Sequence, residues 1–439
     1  MPETILTVDG YNASLHVERG HLVVRDGFTQ AERREVRFPR GRCKVNRIVV
    51  RAPGGTITMD AIRWCADMGV ALSFVDSDSR LLNCMVPDAS HDGPVKRAQA
   101  VSAVTDDALH LARYLLAKKM DSQIHAMERD FPRLGIGTVS GNSASTAQVH
   151  GCKAALSKAT TLVDFLGLEG RAAQFYWDVL VETPLPWRPW ALSRIPAHWA
   201  AISSRTSGRR DRVRDATDPF NAVLNYAYTL LEVETRIACE ATGLDPDLGL
   251  IHIDDRLRES FIYDVLEPLR ANADVWALEL LRKQTMRPEM FHELRDGVVR
   301  LDPDLAGLLA KSLMPRFRSA ALDLANDYAR QLRRVTISRR LVRATVRPVG
   351  QRRNDWERSS CGYCKGPLPR KGLKYCGRDC YVRYSVEIAK PIEKAQKRLA
   401  EMRASGLNPG HGGAAARKRG AALAENNRKG ITGRRTRAV

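Results

Sequence analysis

Residues 47–86 read RIVVRAPGGTITMDAIRWCADMGVALSFVDSDSRLLNCMV, and this stretch decides the fold class. Near its start Ile48-Val49-Val50 is a β-branched run, stopped by the turn signal Pro53-Gly54-Gly55, whereas 60–68 spaces its apolar residues by three and four. A helical period between short β-rich runs bounded by Gly and Pro predicts one helix flanked by strands, and 70–75 and 81–86 resume the strand pattern. Upstream, ILTV at 5–8 precedes Asp9-Gly10 and HLVV at 21–24 precedes Arg25-Asp26-Gly27, which again read as strand then turn. Downstream of about residue 96 the character changes. Long stretches such as 106–129 and 154–181 carry helical spacing with few strand signals. The expected class is α+β: an N-terminal β domain over 1–95 followed by a larger all-α catalytic domain over 96–345.

The 439 residues are 44% hydrophobic and 27% charged, enough apolar material to bury a core, so wholesale disorder, a collagen-like fibre and a small disulfide scaffold are excluded. No apolar run approaches the roughly 18 residues that cross a bilayer, and the first twenty residues lack the layout of a signal peptide. The expected setting is cytoplasmic, with no membrane partner. The formal net charge of +20 favours polyanions, nucleic acid first. That charge is unevenly placed: residues 351–439 hold 22 Lys+Arg and 7 Asp+Glu, a net of +15, which leaves only +5 for the first 350. A nearly balanced body therefore precedes a basic appendage.

Three segments of the helical region carry polar residues that packing alone does not require. In LGLEGRAA at 166–173, two glycines bracket Glu169 and an Ala-rich helix is expected to begin just after it, which would place the carboxylate near a helix N-terminus. Alone, Glu169 reads equally as a surface acid in a first turn. In DPFNAVLNY at 218–226, Asp218 is an N-cap and Pro219 a first helical residue, with Phe220, Val223, Leu224, Ala227, Leu230 and Leu231 on one apolar stripe. Asn221 and Asn225 lie one turn apart there, suited to capping or packing. In the third segment His252 ends an apolar stretch and is followed by YDVLEPLR at 263–270, where Asp264 and Glu267 share a helix face. A lone His in such a stretch also suits a satisfied core position. Together, one imidazole and two or three carboxylates suit a hard or borderline divalent ion held near phosphate.

These residues resemble a known family, the CRISPR-associated spacer-acquisition endonuclease and integrase, over about residues 5–345. The marks are GGTITMDAIRWCADMGVALSFVD at 54–76, LGLEGRAAQFYW at 166–177, DPFNAVLNYAYTLLE at 218–232, and GLDPDLGLIH followed by YDVLEPLR between 243 and 270. The resemblance implies a homodimer with a β N-terminal and an α C-terminal domain. It implies that Glu169, His252 and Glu267 are ligands of Mg²⁺ or Mn²⁺, with Asp264 an accessory carboxylate among the catalytic residues. The chain departs from the family between His252 and Asp264: where the family shows Arg-x-Gly-Arg-x-Ser, Asp254, Asp255, Arg256, Leu257, Arg258, Glu259 and Ser260 stand here. The added acids bear on how DNA approaches.

Cys361, Cys364, Cys376 and Cys380 form C-x2-C and C-x3-C pairs eleven residues apart. Four thiolates at such spacing complete a tetrahedral Zn²⁺ shell with no open position, so a structural zinc-knuckle, a DNA-binding extension over 346–405, is expected. The tail over 406–439 is Ala/Gly/Arg-rich, either solvated and disordered or ordered on DNA, and its phosphate contacts would weaken steeply with salt. The expected function is a metal-dependent DNA endonuclease and integrase that inserts DNA by 3′-hydroxyl attack on a phosphodiester in CRISPR spacer acquisition. Its partners would be double-stranded DNA, a second copy, and a second CRISPR adaptation protein. The extension is reminiscent of casposases, the related transposon-encoded integrases, so a stand-alone integrase is the alternative. A catalytically idle DNA-binding protein is a further one.

Overall fold

Runs without polar alternation, such as ILTV at 5–8 and Ile48-Val49-Val50, suit strands that are covered on both faces, because alternation is needed only where one face meets water. The computed structural model describes residues 4–27, 34–40, 44–87, 89–137, 139–205, 215–252 and 259–334. Strands β1 (Thr4–Val8), β2 (Tyr11–Glu18), β3 (His21–Arg25), β4 (Glu35–Pro39), β5 (Val45–Val50) and β6 (Gly54–Ile57) precede helix α1 (Met59–Asp67), and β7 (Ala71–Val75) and β8 (Leu81–Met85) follow it. They form two four-stranded sheets, ordered β1-β5-β7-β8 and β4-β3-β2-β6. In the first, β1, β5 and β7 run parallel and β8 antiparallel. Leu6, Val8, Ile48 and Val50 point into a core shared with β2, β3 and α1, while Ile5 and Val49 on the other face join the helical core. Both faces of this sheet are thus buried, as the apolar runs require.

The expected helix at 60–68 is α1, started by Thr58, whose side chain accepts the Ala61 N–H. One reading is corrected: Gly54-Gly55 is not a turn but strand β6, paired parallel to β2 with Gly55 beside Ala13. A Cβ at Gly55 would collide with the Ala13 carbonyl, so glycine is there for close backbone approach.

Beyond the strands come α2 (Gly93–Ala103) and α3 (Asp107–His125). A π-helical turn (Ala126–Asp130), α4 (Phe131–Arg133), α5 (Val139–Leu156), α6 (Leu162–Leu180) and α7 (Pro189–Leu192) follow. The expected helical stretch at 154–181 is divided, because α5 ends at Leu156 and Thr161 caps a new helix by accepting the Asp164 N–H. Helix α8 (Pro219–Thr242) starts at the expected Asp218 cap and ends at Gly243, whose φ of 80° closes it in the left-handed region. Its expected apolar stripe is fully buried. Helix α9 (Ser260–Leu266) leads through a 3₁₀ turn, Glu267–Leu269, into α10 (Arg270–Lys283). A small antiparallel hairpin of β9 (Phe291–Glu293) and β10 (Val299–Leu301), absent from the all-α expectation, precedes α11 (Pro303–Arg334).

Residues Met1–Arg347 form one compact unit, within which the changeover from strands to helices falls between Met85 and Gly93. The zinc-knuckle and tail expectations, including Cys361, Cys364, Cys376 and Cys380, lie outside the described residues, as do Asp254 and its neighbours up to Arg258. Among the described residues no helix is long and apolar enough to cross a membrane.

Candidate metal centre

Asp264 is the anchor from which the site is built. It is completely buried in α9, and its two oxygens accept four hydrogen bonds from one loop. Oδ2 takes the backbone N–H groups of Leu250 at 2.6 Å and Ile251 at 3.0 Å, and Oδ1 takes the N–H of His252 at 3.0 Å and its Nδ1 at 2.7 Å. A carboxylate can only accept, so Nδ1 carries the hydrogen and the lone pair of the imidazole is on Nε2. The His252 ring leans on Tyr263, centroids 6.0 Å apart, and its side chain is 29% exposed. The resemblance places Asp264 beside an ion. In the fold its two oxygens are engaged by the loop and the imidazole, and it holds the His252 ring in place.

Glu267 follows one turn later, at the bend where Pro268 interrupts the helical hydrogen bonding. Arg270 Nη2 lies 3.2 Å from Glu267 Oε1, and Lys119 Nζ from α3 lies 2.7 Å from Oε2. The same ammonium pairs with Glu169 Oε1 from α6. Glu169 therefore does not stand at a helix N-terminus, as its flanking glycines suggested. It lies in the middle of α6, eight residues past the Thr161 cap, and a lysine rather than a helix dipole faces its charge. Burial alone would raise the Glu267 pKa, but Arg270, then Lys119 and the nearby His252 outweigh it and lower it to about 2. Burial likewise opposes the charge of Lys119, yet Glu267 and Glu169 raise its pKa, so it remains an ammonium.

The three expected ligands are thus gathered from α6, the loop before α9 and the turn after it. Glu169 and Glu267 converge on a single cationic group, the Lys119 ammonium, which lies 2.7 Å from Glu267 Oε2. Two carboxylates and an imidazole fit a divalent ion in donor chemistry. Among the described residues, however, no three His, Cys, Asp or Glu side chains stand close enough to form a ready-made ion cage.

A polar layer supports the site from behind. Arg270 lies over the Tyr228 ring at 5.0 Å, and the hydroxyls of Tyr228 and Tyr176 donate to the buried Asp274 at 2.5 and 2.9 Å. Burial raises the Asp274 pKa to about 6 against these donors. Asn225 accepts from Arg205, whose guanidinium stacks on Trp177 and Tyr228, while Asn221 Nδ2 donates to the Ser203 carbonyl. Both asparagines hold structure, in line with the capping or packing role expected of them.

Sequence reasoning missed Lys119. Read as half of the pair Lys118-Lys119 it is a solvated charge, but it falls on the buried face of α3, in step with Leu115, Leu116, Met120 and Gln123. A lysine at an apolar position of a helical period is the signal that was available.

A strand-rich N-terminal region joined to a helical region, with carboxylates, imidazole and lysine collected in the helical part, defines the class of fold. The chain belongs to the family described as CRISPR associated protein Cas1, whose model matches residues 6–313. It is similar to the CRISPR-associated endonuclease Cas1 1 of Archaeoglobus fulgidus, 27% identical over 328 residues that cover 72% of this chain and 88% of that one. The CRISPR-associated endonuclease Cas1 of Methanopyrus kandleri is 29% identical over 311 residues, 69% of this chain and 87% of the relative. Among solved structures, a casposase bound to integration product shares the fold with a TM-score of 0.61 and 22% identity, over 78% of this chain and 92% of that one.

Proposed function

We propose that the chain is a divalent-metal-dependent DNA endonuclease and integrase acting in CRISPR spacer acquisition. Membership of the Cas1 family supports the reaction class. The observation that carries the reading is the convergence of Glu169 and Glu267 on one cation position, beside a His252 whose tautomer is set by Asp264. Glu169, Glu267 and His252 Nε2 would hold the ion, which when bound supplies Lewis-acid polarisation of a phosphodiester.

The residues do the rest. Asp264 holds the imidazole through Nδ1 and so leaves Nε2 for an ion, and Arg270 balances Glu267 so that two acids tolerate the same pocket. A DNA 3′-hydroxyl oxygen forms the new P–O bond as the old one breaks. Its proton goes to solvent and the displaced strand leaves as a 3′-hydroxyl. With water as the attacking group the same site hydrolyses DNA. Double-stranded DNA, a second copy of the chain and a second adaptation protein are the partners this reading implies.

Glu169→Ala and His252→Ala are each expected to abolish Mg²⁺- or Mn²⁺-dependent strand transfer while the circular dichroism spectrum and melting curve stay close to wild type. Full strand transfer by either variant would sink the ligand assignment. Neither substitution removes Arg270 or the Asp264 clamp, so folding and chemistry are separable here.

The C-x2-C and C-x3-C pairs at 361–380 favour one addition, a structural Zn²⁺ in the C-terminal extension. Metal analysis of the full-length protein is expected to find about one zinc per chain, lost in a Cys361→Ser/Cys364→Ser double variant. Wild-type protein without zinc would refute it. The same extension suits a stand-alone, casposase-like integrase; strand transfer by the purified chain without any second protein favours that reading over the adaptation complex.

A further inference from the structure

The cation position between Glu169 and Glu267 is filled by a side chain of the protein itself. Lys119 Nζ contacts both carboxylates, 2.7 Å from Glu267 Oε2, and its side chain is only 10% exposed. An ion shared by the same two carboxylates and the same ammonium cannot both stand there. We propose that Lys119 is the resident cation of the site: a positioning residue that holds the two carboxylates together in the metal-free protein and swings out when a divalent ion enters. The proposal rests on the metal reading given above and deepens it.

Charge accounting gives the exchange a consequence. With Lys119 seated, the charges of Glu169, Glu267, Lys119 and Arg270 sum to zero, so these four groups offer no net attraction to an anionic phosphodiester. When a 2+ ion takes the central place and the displaced ammonium stays nearby, the local sum becomes +2. Phosphate is then drawn in only after the ion is bound, and engagement of DNA is gated on metal. Lysine suits the part because its ammonium is a compact charge on a flexible stem, with donors that rotate freely. The flat guanidinium of an arginine would grip both acids as a fork and leave less readily.

Isothermal titration of Mn²⁺ into the full-length protein tests this without reference to activity. A competitor seated about nine-tenths of the time weakens apparent affinity about tenfold, so Lys119→Met is expected to bind Mn²⁺ about tenfold more tightly than wild type. Metal-free, that variant should melt below wild type, with the loss recovered on adding Mn²⁺, because two carboxylates have lost their counterion. Lys119→Arg keeps the charge and should bind Mn²⁺ more weakly than wild type, and this arm decides the matter if Lys119→Met does not fold. A lysine that merely braces the helices predicts the opposite order. Unchanged or weaker Mn²⁺ binding by Lys119→Met, or unchanged or tighter binding by Lys119→Arg, overturns the proposal while leaving the metal reading intact. Wild-type protein that binds no Mn²⁺, or a Glu169→Ala variant that binds it as well as wild type, overturns both.

Discussion

Asp264→Ala is expected to slow strand transfer about a hundredfold and to destabilise the chain by about 3 kcal/mol, although its carboxylate faces the loop and the imidazole instead of the reacting strand. Three successive backbone amides, of Leu250, Ile251 and His252, donate to this one buried side chain. Removing it strands them, and a buried donor left without a partner costs about 1–3 kcal/mol before the loop relaxes. The same deletion frees the imidazole, since Nδ1 loses its 2.7 Å acceptor and the tautomer is no longer set. Groups that orient a metal-binding histidine are worth about ten- to a hundredfold, and here the orienting group also shapes the loop that carries it. Asp264→Asn keeps the volume but turns an NH₂ towards donors, so it should rescue neither property. Rates under saturating Mg²⁺ and urea midpoints would decide the point. Near-wild-type behaviour of the Asn variant would show that shape and not hydrogen bonding matters at this position.

Glu234→Ala should lower stability by about 3–5 kcal/mol without involving the candidate site. Arg47 on β5 and Glu234 on α8 meet in two parallel hydrogen bonds of 2.8 and 3.1 Å, with side chains 8% and 1% exposed. Two charges so deeply buried are tolerated only as a pair, and deleting one leaves the other without compensation in a place water reaches poorly. At roughly 2–4 °C per kcal/mol for a chain of this size, the melting temperature should fall by roughly ten degrees. The double variant Arg47→Met/Glu234→Leu should recover most of the loss, because apolar side chains suit the same space. A single variant that melts within a degree of wild type would show that the pair contributes nothing net.

Much of this architecture was legible in the residues, and the exceptions have physical causes. Asp218-Pro219 and the stripe from Phe220 to Leu231 announced α8 because capping and amphipathic period act locally. Glycine misled twice. At Gly54-Gly55 it permits two strands to approach, and at Gly167 and Gly170 it lies inside a helix whose start is set by Thr161, upstream of either. Neither use leaves a local mark distinct from a turn. Glu169, His252 and Glu267 were named as ligands through family likeness, with chemistry alone leaving each ambiguous. The position of Lys119 between two of them is a long-range contact, fifty residues from one partner, which no local pattern encodes. Asp264 was legible as a member of the site but not in its part, since a clamp on three amides depends on the path of the loop.

Helix α8 has seventeen of its 24 residues buried, including Leu230, Leu231 and Val233 as well as Glu234, and α11 packs along it. During translation that arrangement imposes a wait. The covering helix ends at Arg334, some ninety residues after α8 has been made. At about 5–20 residues per second, α8 emerges roughly 5 to 20 seconds before its cover is complete. For that interval the nascent chain leaves exposed the apolar face of α8, with Leu230, Leu231 and Val233, that α11 packs along in the finished fold. Slowed elongation between residues 242 and 334, or a shortage of chaperones, should therefore lower soluble yield more than the same disturbance over the first hundred residues.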